Sequence, residues 1–356
     1  MNTEIRKSAH IDTVLSADVS AKGVDPGFDR FFFDHVALPE TNISEVELSK
    51  CLFKKTLSAP ILISSMTGGT EKAKQINLNL AMAAEACGVA MGLGSQRAAL
   101  EDKSLIDTYR VRSVAPNILL FANFGAVQLN YGFGVEQALH AVEMIEADAL
   151  FLHLNPLQEA VQLEGDGNWK GLYKKIEDLV AALAVPVVVK EVGNGISVDV
   201  ARRLVYCGVA GIDVAGAGGT SWSEVEAFRQ TDPIRKKIAH CFAGWGMPTA
   251  LCLTEVKSAF PDLMVFASGG LRSGLDMAKA IRLGADLCGI ATPALQNAIG
   301  SGNDVEKTVE RLLEELRISA FCVGARSLEE LKGAKLRRHS DWSEVSHIPV
   351  SAGESI

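Results

Sequence analysis

The 356-residue chain lacks the patterns that would place it in several large classes of protein. Its seven cysteines, Cys51, Cys87, Cys207, Cys241, Cys252, Cys288 and Cys322, form no CxxC pair and no Cys/His cluster with zinc spacing. That excludes a zinc finger or ribbon and a dithiol redox site, and most of the cysteines read as reduced, buried fillers. Met1-Asn2-Thr3-Glu4-Ile5-Arg6-Lys7 runs into further polar residues with no apolar stretch, so neither a secretory leader nor a membrane span is read, and a cytoplasmic location is expected. Basic residues are in deficit, 35 Lys+Arg against 43 Asp+Glu for a net charge of −8, which argues against a nucleic-acid partner. No Pro/Ser-rich linker or charge block divides Pro60 from Thr292, so one large core is expected.

From Pro60 onward, short apolar runs alternate with longer segments of helical period. The runs are Ile61–Ser64, Val89–Gly92, Ile118–Phe121, Ala149–His153, Val187–Lys190, Gly211–Val214, Leu263–Ala267 and Asp286–Ile290. Eight is the number a closed α/β barrel of the (β/α)8 TIM type requires. Helices are predicted over Ala73–Ala86, Val135–Glu146, Tyr173–Leu183, Val198–Tyr206 and Leu275–Leu283. An open doubly wound sheet is the alternative, but Ser65-Met66-Thr67-Gly68-Gly69 stands where its GxGxxG would be. The expected division is an N-terminal extension over 1–59, the barrel over 60–325 and a tail over 326–356. Phe28, Phe31, Phe32 and Phe33 in the extension are expected to pack on the barrel surface. Thr220–Met247, with Trp222 and Trp245, reads as a lid, an interface segment or a solvated insertion.

The chemistry-bearing residues follow the strand ends, where barrel enzymes keep their sites. Ala267-Ser268-Gly269-Gly270-Leu271-Arg272-Ser273-Gly274 reads as a phosphate grip: glycines admit close backbone approach, the following helix start is electropositive, and Arg272 supplies a fork. An ordinary tight turn is the plainer reading. Lys190 ends a Val-Val-Val strand, so it either snorkels to the surface or sets a cation beside an electron-rich ring such as a reduced flavin. Ser65, Thr67, Ser95, Asn123 and Thr220 would hold the edges of such a ring, as in FMN-binding barrels. Glu159 is either a solvated loop carboxylate or a Mg²⁺ ligand. His153 is either a satisfied core histidine or an active one, and Gln158 can orient a substrate or proton. Arg6, Lys7, His10 and Arg97 supply positive charge of the kind a diphosphate needs.

Taken together these residues resemble the type 2 isopentenyl-diphosphate isomerases, which are FMN-dependent (β/α)8 barrels. The resemblance runs from Arg6 to about Thr292. It is carried by Arg6-Lys7-x-x-His10, Met66-Thr67-Gly68-Gly69, Gly94-Ser95-Gln96-Arg97, His153-x-Asn155-x-x-Gln158-Glu159 and Lys190-Glu191-Val192-Gly193. Further along it is carried by Gly216-x-Gly218-Gly219-Thr220, Trp245-Gly246-x-Pro248-Thr249 and Ser268-Gly269-Gly270-x-Arg272. It implies FMN contacts from Ser65, Met66, Thr67, Ser95, Asn123, Lys190, Thr220, Gly269, Gly270, Leu271, Arg272, Ala291 and Thr292. It implies diphosphate or substrate contacts from Arg6, Lys7, His10, Ser95, Gln96, Arg97 and Gln158, and Mg²⁺ on Glu159. His153, Gln158 and Lys190 would be catalytic, with reduced FMN as acid/base, NADPH as its reductant, and the protein a homo-oligomer. Asn194 departs from the family, where a larger apolar residue is common, and the tail after Ala325 carries no expectation.

Two oxidoreductase readings share the barrel. A 2-hydroxy-acid oxidase needs a His base near the late strands, and Gly216–Trp222 has none; an IMP-dehydrogenase-like enzyme needs a loop cysteine, and none lies between Cys207 and Cys241. A non-catalytic barrel binding phosphorylated ligands is the third alternative. It would have no need of Lys190, His153 and Gln158 in one mouth.

Overall fold

The computed structural model describes residues 3–340, with side chains from Lys7 onward. Eight parallel strands close in sequence order: Ile61–Ile63, Ala90–Gly92, Leu120–Gly125, Ala149–His153, Val187–Lys190, Gly211–Asp213, Met264–Ala267 and Leu287–Ile290. Cys288 of the last lies beside Ile61 of the first, which completes the (β/α)8 barrel. The strands are apolar on both faces because each meets helices outside and a filled lumen inside. In the first strand, Leu62 joins the lumen cluster while Ile61 and Ile63 join the outer core.

The lumen is plugged by aromatic rings. Phe121 and Phe151 stack at 4.1 Å, and Phe266 meets them edge-on at 6.0 and 6.3 Å. A hairpin of Lys50–Leu52 and Lys55–Leu57 closes the N-terminal end, sending Leu52 and Leu57 into the same cluster. It is held there by Lys50 to Asp286 at 2.7 Å and Lys55 to Asp148 at 3.5 Å. The hairpin thus covers the end of the lumen opposite the C-terminal mouth.

Most crossovers are helical as the sequence predicts: Glu71–Cys87, Val135–Glu143, Leu172–Ala182, Val198–Tyr206 and Gly274–Arg282. Thr70 caps the first by accepting from Ala73 N, and Gly88, at φ 63°, ends it in a left-handed turn. The second crossover is reduced to Arg97–Glu101 and a 3-10 turn, Lys103–Thr108. Thr220–Met247 folds into two helices, Trp222–Arg229 and Pro233–Cys241. Trp222 lines the barrel mouth, whereas Trp245 is exposed.

Residues Thr3–Ser16 form a helix that the weak periodicity did not disclose. Phe28 is buried, and Phe31–Phe33 pairs antiparallel with Leu336–Arg338, with Arg337 Nη2 donating to Asp34 at 2.9 Å. No helix among the described residues is long and apolar enough to cross a membrane.

Candidate active site

A cavity of about 650 Å³ fills the C-terminal mouth, within the range of cofactor and substrate pockets. Strand ends and loops bring Ser65, Met66, Thr67, Ser95, Asn123, His153, Lys190 and Thr220 to its wall, with Gly269 to Arg272 and Ala291–Thr292 on the far side. Lys7 and His10 from the N-terminal helix, and Arg97, Gln158 and Glu159 from the loops, complete it.

The far side is a backbone cradle. Gly269 and Gly270 have φ of 99° and 86°, and a Cβ on Gly269 would lie 2.1 Å from Gly216 O. Glycine is therefore required where two strand-end loops cross. Thr220 and Thr292 hydroxyls hydrogen-bond at 2.8 Å across that crossing. The helix start behind it is not open, contrary to expectation. Asp276 accepts from the backbone N–H of Arg272 and Ser273, and Glu315 accepts from Gly274 N at 2.7 Å. Two carboxylates occupy the amides that were expected to face an anion, which leaves the grip to the glycine turn and the Arg272 side chain.

Lys190 is the cavity's buried cation. Its Nζ donates to Glu191 O at 2.5 Å, and its strand register sets it beside Asp213. Asp213 is fully buried, receives Ser268 Oγ at 2.8 Å, and burial pushes its carboxyl up against the opposing pull of Lys190. Glu191 is likewise buried and is pushed up to about 7 by desolvation, although the N–H groups of Val192, Gly193 and Asn194 all donate to it. The cationic head is thus held by a backbone carbonyl at the cavity wall, with the Asp213 and Glu191 carboxylates feeling its charge without pairing directly to it.

His153 Nδ1 lies 2.8 Å from Asn123 Oδ1, while Asn123 Nδ2 donates to Leu93 O at 3.1 Å. The amide orientation fixed by Leu93 makes the imidazole the donor, so Nδ1 carries the proton and Nε2 is the acceptor. Burial, then the charges of Lys190 and Lys7, lower its pKa to about 3. The imidazole is neutral at physiological pH.

The part of the cavity around Lys7, His10 and Arg97 is organised by residues the sequence analysis did not single out. Lys7 Nζ donates to Ser95 O and to Tyr109 Oη, both at 2.6 Å, and buried Tyr109 donates to Ser95 O at 2.8 Å. Glu226, fully buried on the helix Trp222–Arg229, gathers His10 Nε2 at 2.9 Å, Gln158 Nε2 at 3.1 Å and Arg229. Burial pulls its carboxyl up, but His10, Arg229 and Gln158 outweigh this and hold it below its ordinary value. Asn155 Nδ2 ties Gln158 Oε1 at 3.1 Å to Glu159 Oε1 at 3.0 Å. Asp166 takes Arg97 Nη1 at 2.7 Å, and Glu101 takes Arg97 Nε at 2.8 Å. The pair outweighs burial and raises the guanidinium's pKa.

Gln96 is the misplaced expectation. Fully buried, it donates to Ala141 O and accepts from Asn123 N, both at 2.8 Å, so it braces the third strand against a helix and does not face the cavity. The side chain of Arg6 lies outside the described residues. Buried acids and a tyrosine drawn from remote segments leave no local motif, which is why Tyr109, Asp166, Asp213 and Glu226 escaped notice.

The chemistry of the cavity wall fits a flavin. Ser64 Oγ and Ser65 Oγ are buried acceptor-donors without a partner, beside a buried cation and a glycine cradle. Native structures seldom leave such atoms unpaired. A single carboxylate at Glu159 fits a Mg²⁺ that completes its shell with phosphate oxygens and water. No cluster of three or more His, Cys, Asp or Glu that could cage a metal occurs among the described residues.

Comparison with known proteins agrees. Residues 156–338 match the FMN-dependent dehydrogenase family. Crystal structures of mandelate oxidase superpose with a TM-score of 0.63 at 18% identity, covering 92% of this chain and 95% of theirs, which speaks for the fold. Barrel and cavity together define an FMN-dependent barrel enzyme. More similar in sequence are isopentenyl-diphosphate delta-isomerases. That of Synechocystis sp. is 60% identical, covering 93% of this chain and 95% of the relative, and that of Stutzerimonas stutzeri is 53% identical, covering 93% and 96%. The Rickettsia bellii enzyme, at 48%, covers 97% and 98%. The chain belongs to the isopentenyl-diphosphate delta-isomerase family.

Proposed function

We propose that this enzyme interconverts isopentenyl and dimethylallyl diphosphate, and the observation carrying the proposal is the two-sided cavity. One side offers a cradle with a buried cation for flavin, and the other offers cations and a carboxylate for a diphosphate with its metal. Moving the double bond means adding a proton to the terminal carbon of an unactivated alkene and removing another from the CH2 on the far side of the tertiary carbon, where the positive charge develops. Ordinary side-chain acids are poorly matched to that task. Reduced FMN, when bound, supplies an electron-rich ring and an acid/base nitrogen at N5.

The chain's own residues supply the rest. Lys190 would hold positive charge against the bound ring, where it stabilises negative charge on the reduced flavin. Ser65, Met66, Thr67, Ser95, Asn123 and Thr220 hold its other polar edges, and Gly269, Gly270, Leu271, Arg272, Ala291 and Thr292 hold its phosphate. Lys7, Arg6, Ser95 and Arg97 bind the diphosphate, and Glu159 holds Mg²⁺ that neutralises it. Gln158, fixed between Asn155 and Glu226, orients the prenyl end, with His10 packed edge-on to Trp222 at 5.3 Å beside it. Neutral His153 presents Nε2 as an acceptor. From the extension over 1–59, the helix Thr3–Ser16 and the residues just after it contribute to the substrate-side wall of the barrel over 60–325. On the same reading NADPH reduces the flavin, and the enzyme acts in the cytoplasm as a homo-oligomer.

The test is isomerase activity with oxidised and with chemically reduced FMN. Activity confined to the reduced form supports the reading, and equal rates overturn it.

A further inference from the structure

Arg97 is held by two carboxylates that differ in kind. Glu101 sits one turn along the same helix with its side chain 42% exposed, while Asp166 is 15% exposed and comes from a separate loop. Asp166 is seated from several directions. Gln128 Nε2 donates to the same Oδ2 that Arg97 uses, at 2.7 Å, and Trp169 Nε1 donates to Asp166 O at 3.1 Å. Its own backbone N–H donates to Glu159 Oε2 at 2.7 Å. The loop can fold back this far because residue 165 is glycine: a Cβ there would lie 1.8 Å from Glu159 O. One residue therefore joins the carboxylate assigned to the metal, through its backbone, to the cation assigned to the diphosphate, through its side chain.

We propose that Asp166 makes diphosphate binding conditional on the divalent cation. The inference rests on the assignment of Arg97 and Glu159 in the proposed function. Without metal, Arg97 faces two carboxylates, with Glu159 as a third close by, and an incoming polyanion must displace Asp166 from the guanidinium against that negative field. A divalent cation on Glu159 cancels part of the field. It also competes for the Oε2 atom that seats the Asp166 backbone, loosening the carboxylate from Arg97. By linkage, a diphosphate that draws Arg97 away from Asp166 favours the cation by the same factor.

The test is calorimetric binding of inorganic pyrophosphate to the flavin-loaded protein, with and without MgCl2 at matched ionic strength. Wild type is expected to bind about tenfold or more tightly with Mg²⁺. In Asp166→Asn the metal-free affinity rises and the Mg²⁺ effect shrinks to about threefold or less. Glu101→Gln, which also relieves Arg97 but does not touch Glu159, strengthens binding in both conditions and keeps the wild-type ratio. Complexation of pyrophosphate by Mg²⁺ in solution is common to all three proteins, so differences between them belong to the protein. Asp166→Ala is read in the same way if the Asn variant does not retain flavin. An unchanged ratio in the Asp166 variants, or its equal loss in Glu101→Gln, overturns the inference. Wild type that binds no pyrophosphate in either condition overturns the diphosphate site itself.

Discussion

The neutral His153 at the cavity floor makes a quantitative claim about stability. Its pKa falls from the ordinary 6.5 to about 3 because burial and two nearby ammonium groups disfavour the imidazolium. Between those values the unfolded chain binds a proton that the folded chain refuses. Its contribution is therefore complete above pH 6.5 and is lost progressively as the pH falls toward 3. The loss is about 1.4 kcal/mol per pH unit, or roughly 2.5 kcal/mol between pH 6.5 and 4.5 once the rounded onset is allowed for. His153→Gln keeps a donor for Asn123 and removes the titration. Urea unfolding of both flavin-loaded proteins at pH 7.5, 6.5, 5.5 and 4.5 isolates the term, since every other carboxylate and histidine is shared. Wild type should lose about 2–3 kcal/mol more than the variant over the lower two units. Parallel stability curves would show that His153 protonates freely in the folded state.

Lys190→Ala leaves the ring edge without its cation, and flavin affinity should fall at least about tenfold, the scale of a lost hydrogen bond to a charged group; fluorescence titration of apoprotein with FMN reads this, and an unchanged dissociation constant counts against the placement. Glu159→Gln should leave the 450 nm flavin band intact, on the order of the wild-type intensity, while metal-dependent turnover is lost, because the cation is held apart from the cradle. Glu226→Ala strands Arg229, 10% exposed, without its carboxylate, and should cost about 3–5 kcal/mol in urea unfolding together with loss of turnover. A variant of wild-type stability would mean that water pairs that guanidinium.

The barrel was legible because its strands are buried on both faces. Continuous runs such as Val187–Lys190 announce themselves, and the residues after them fall at the mouth by topology alone. The third strand ran past its expected end at Phe121 to Gly125, because Asn123, polar enough to read as loop, satisfies its amide on Leu93 O and His153 within the sheet. Gln96 was misread for a related reason. In a strand-end motif neighbouring residues face opposite ways, and the sequence does not say which of Ser95, Gln96 and Arg97 turns inward. The hairpin Lys50–Leu57 and the helix Thr3–Ser16 were missed because neither shows strong periodicity; packing and ion pairs from distant residues stabilise them. Glu226 and Asp166 show the same limit from the side of function. Each is an unremarkable acid in its own segment, and only folding brings it against partners dozens of residues away.

The ribbon formed by Phe31–Phe33 and Leu336–Arg338 buckles the segment before the barrel to the segment after it. A chain cut after Ala325 would keep all eight staves of the barrel and its flavin cradle but would unfasten the belt that leads back toward Lys7. Such a shortened protein would come out yellow yet grasp diphosphate weakly, so that pigment and turnover would part company.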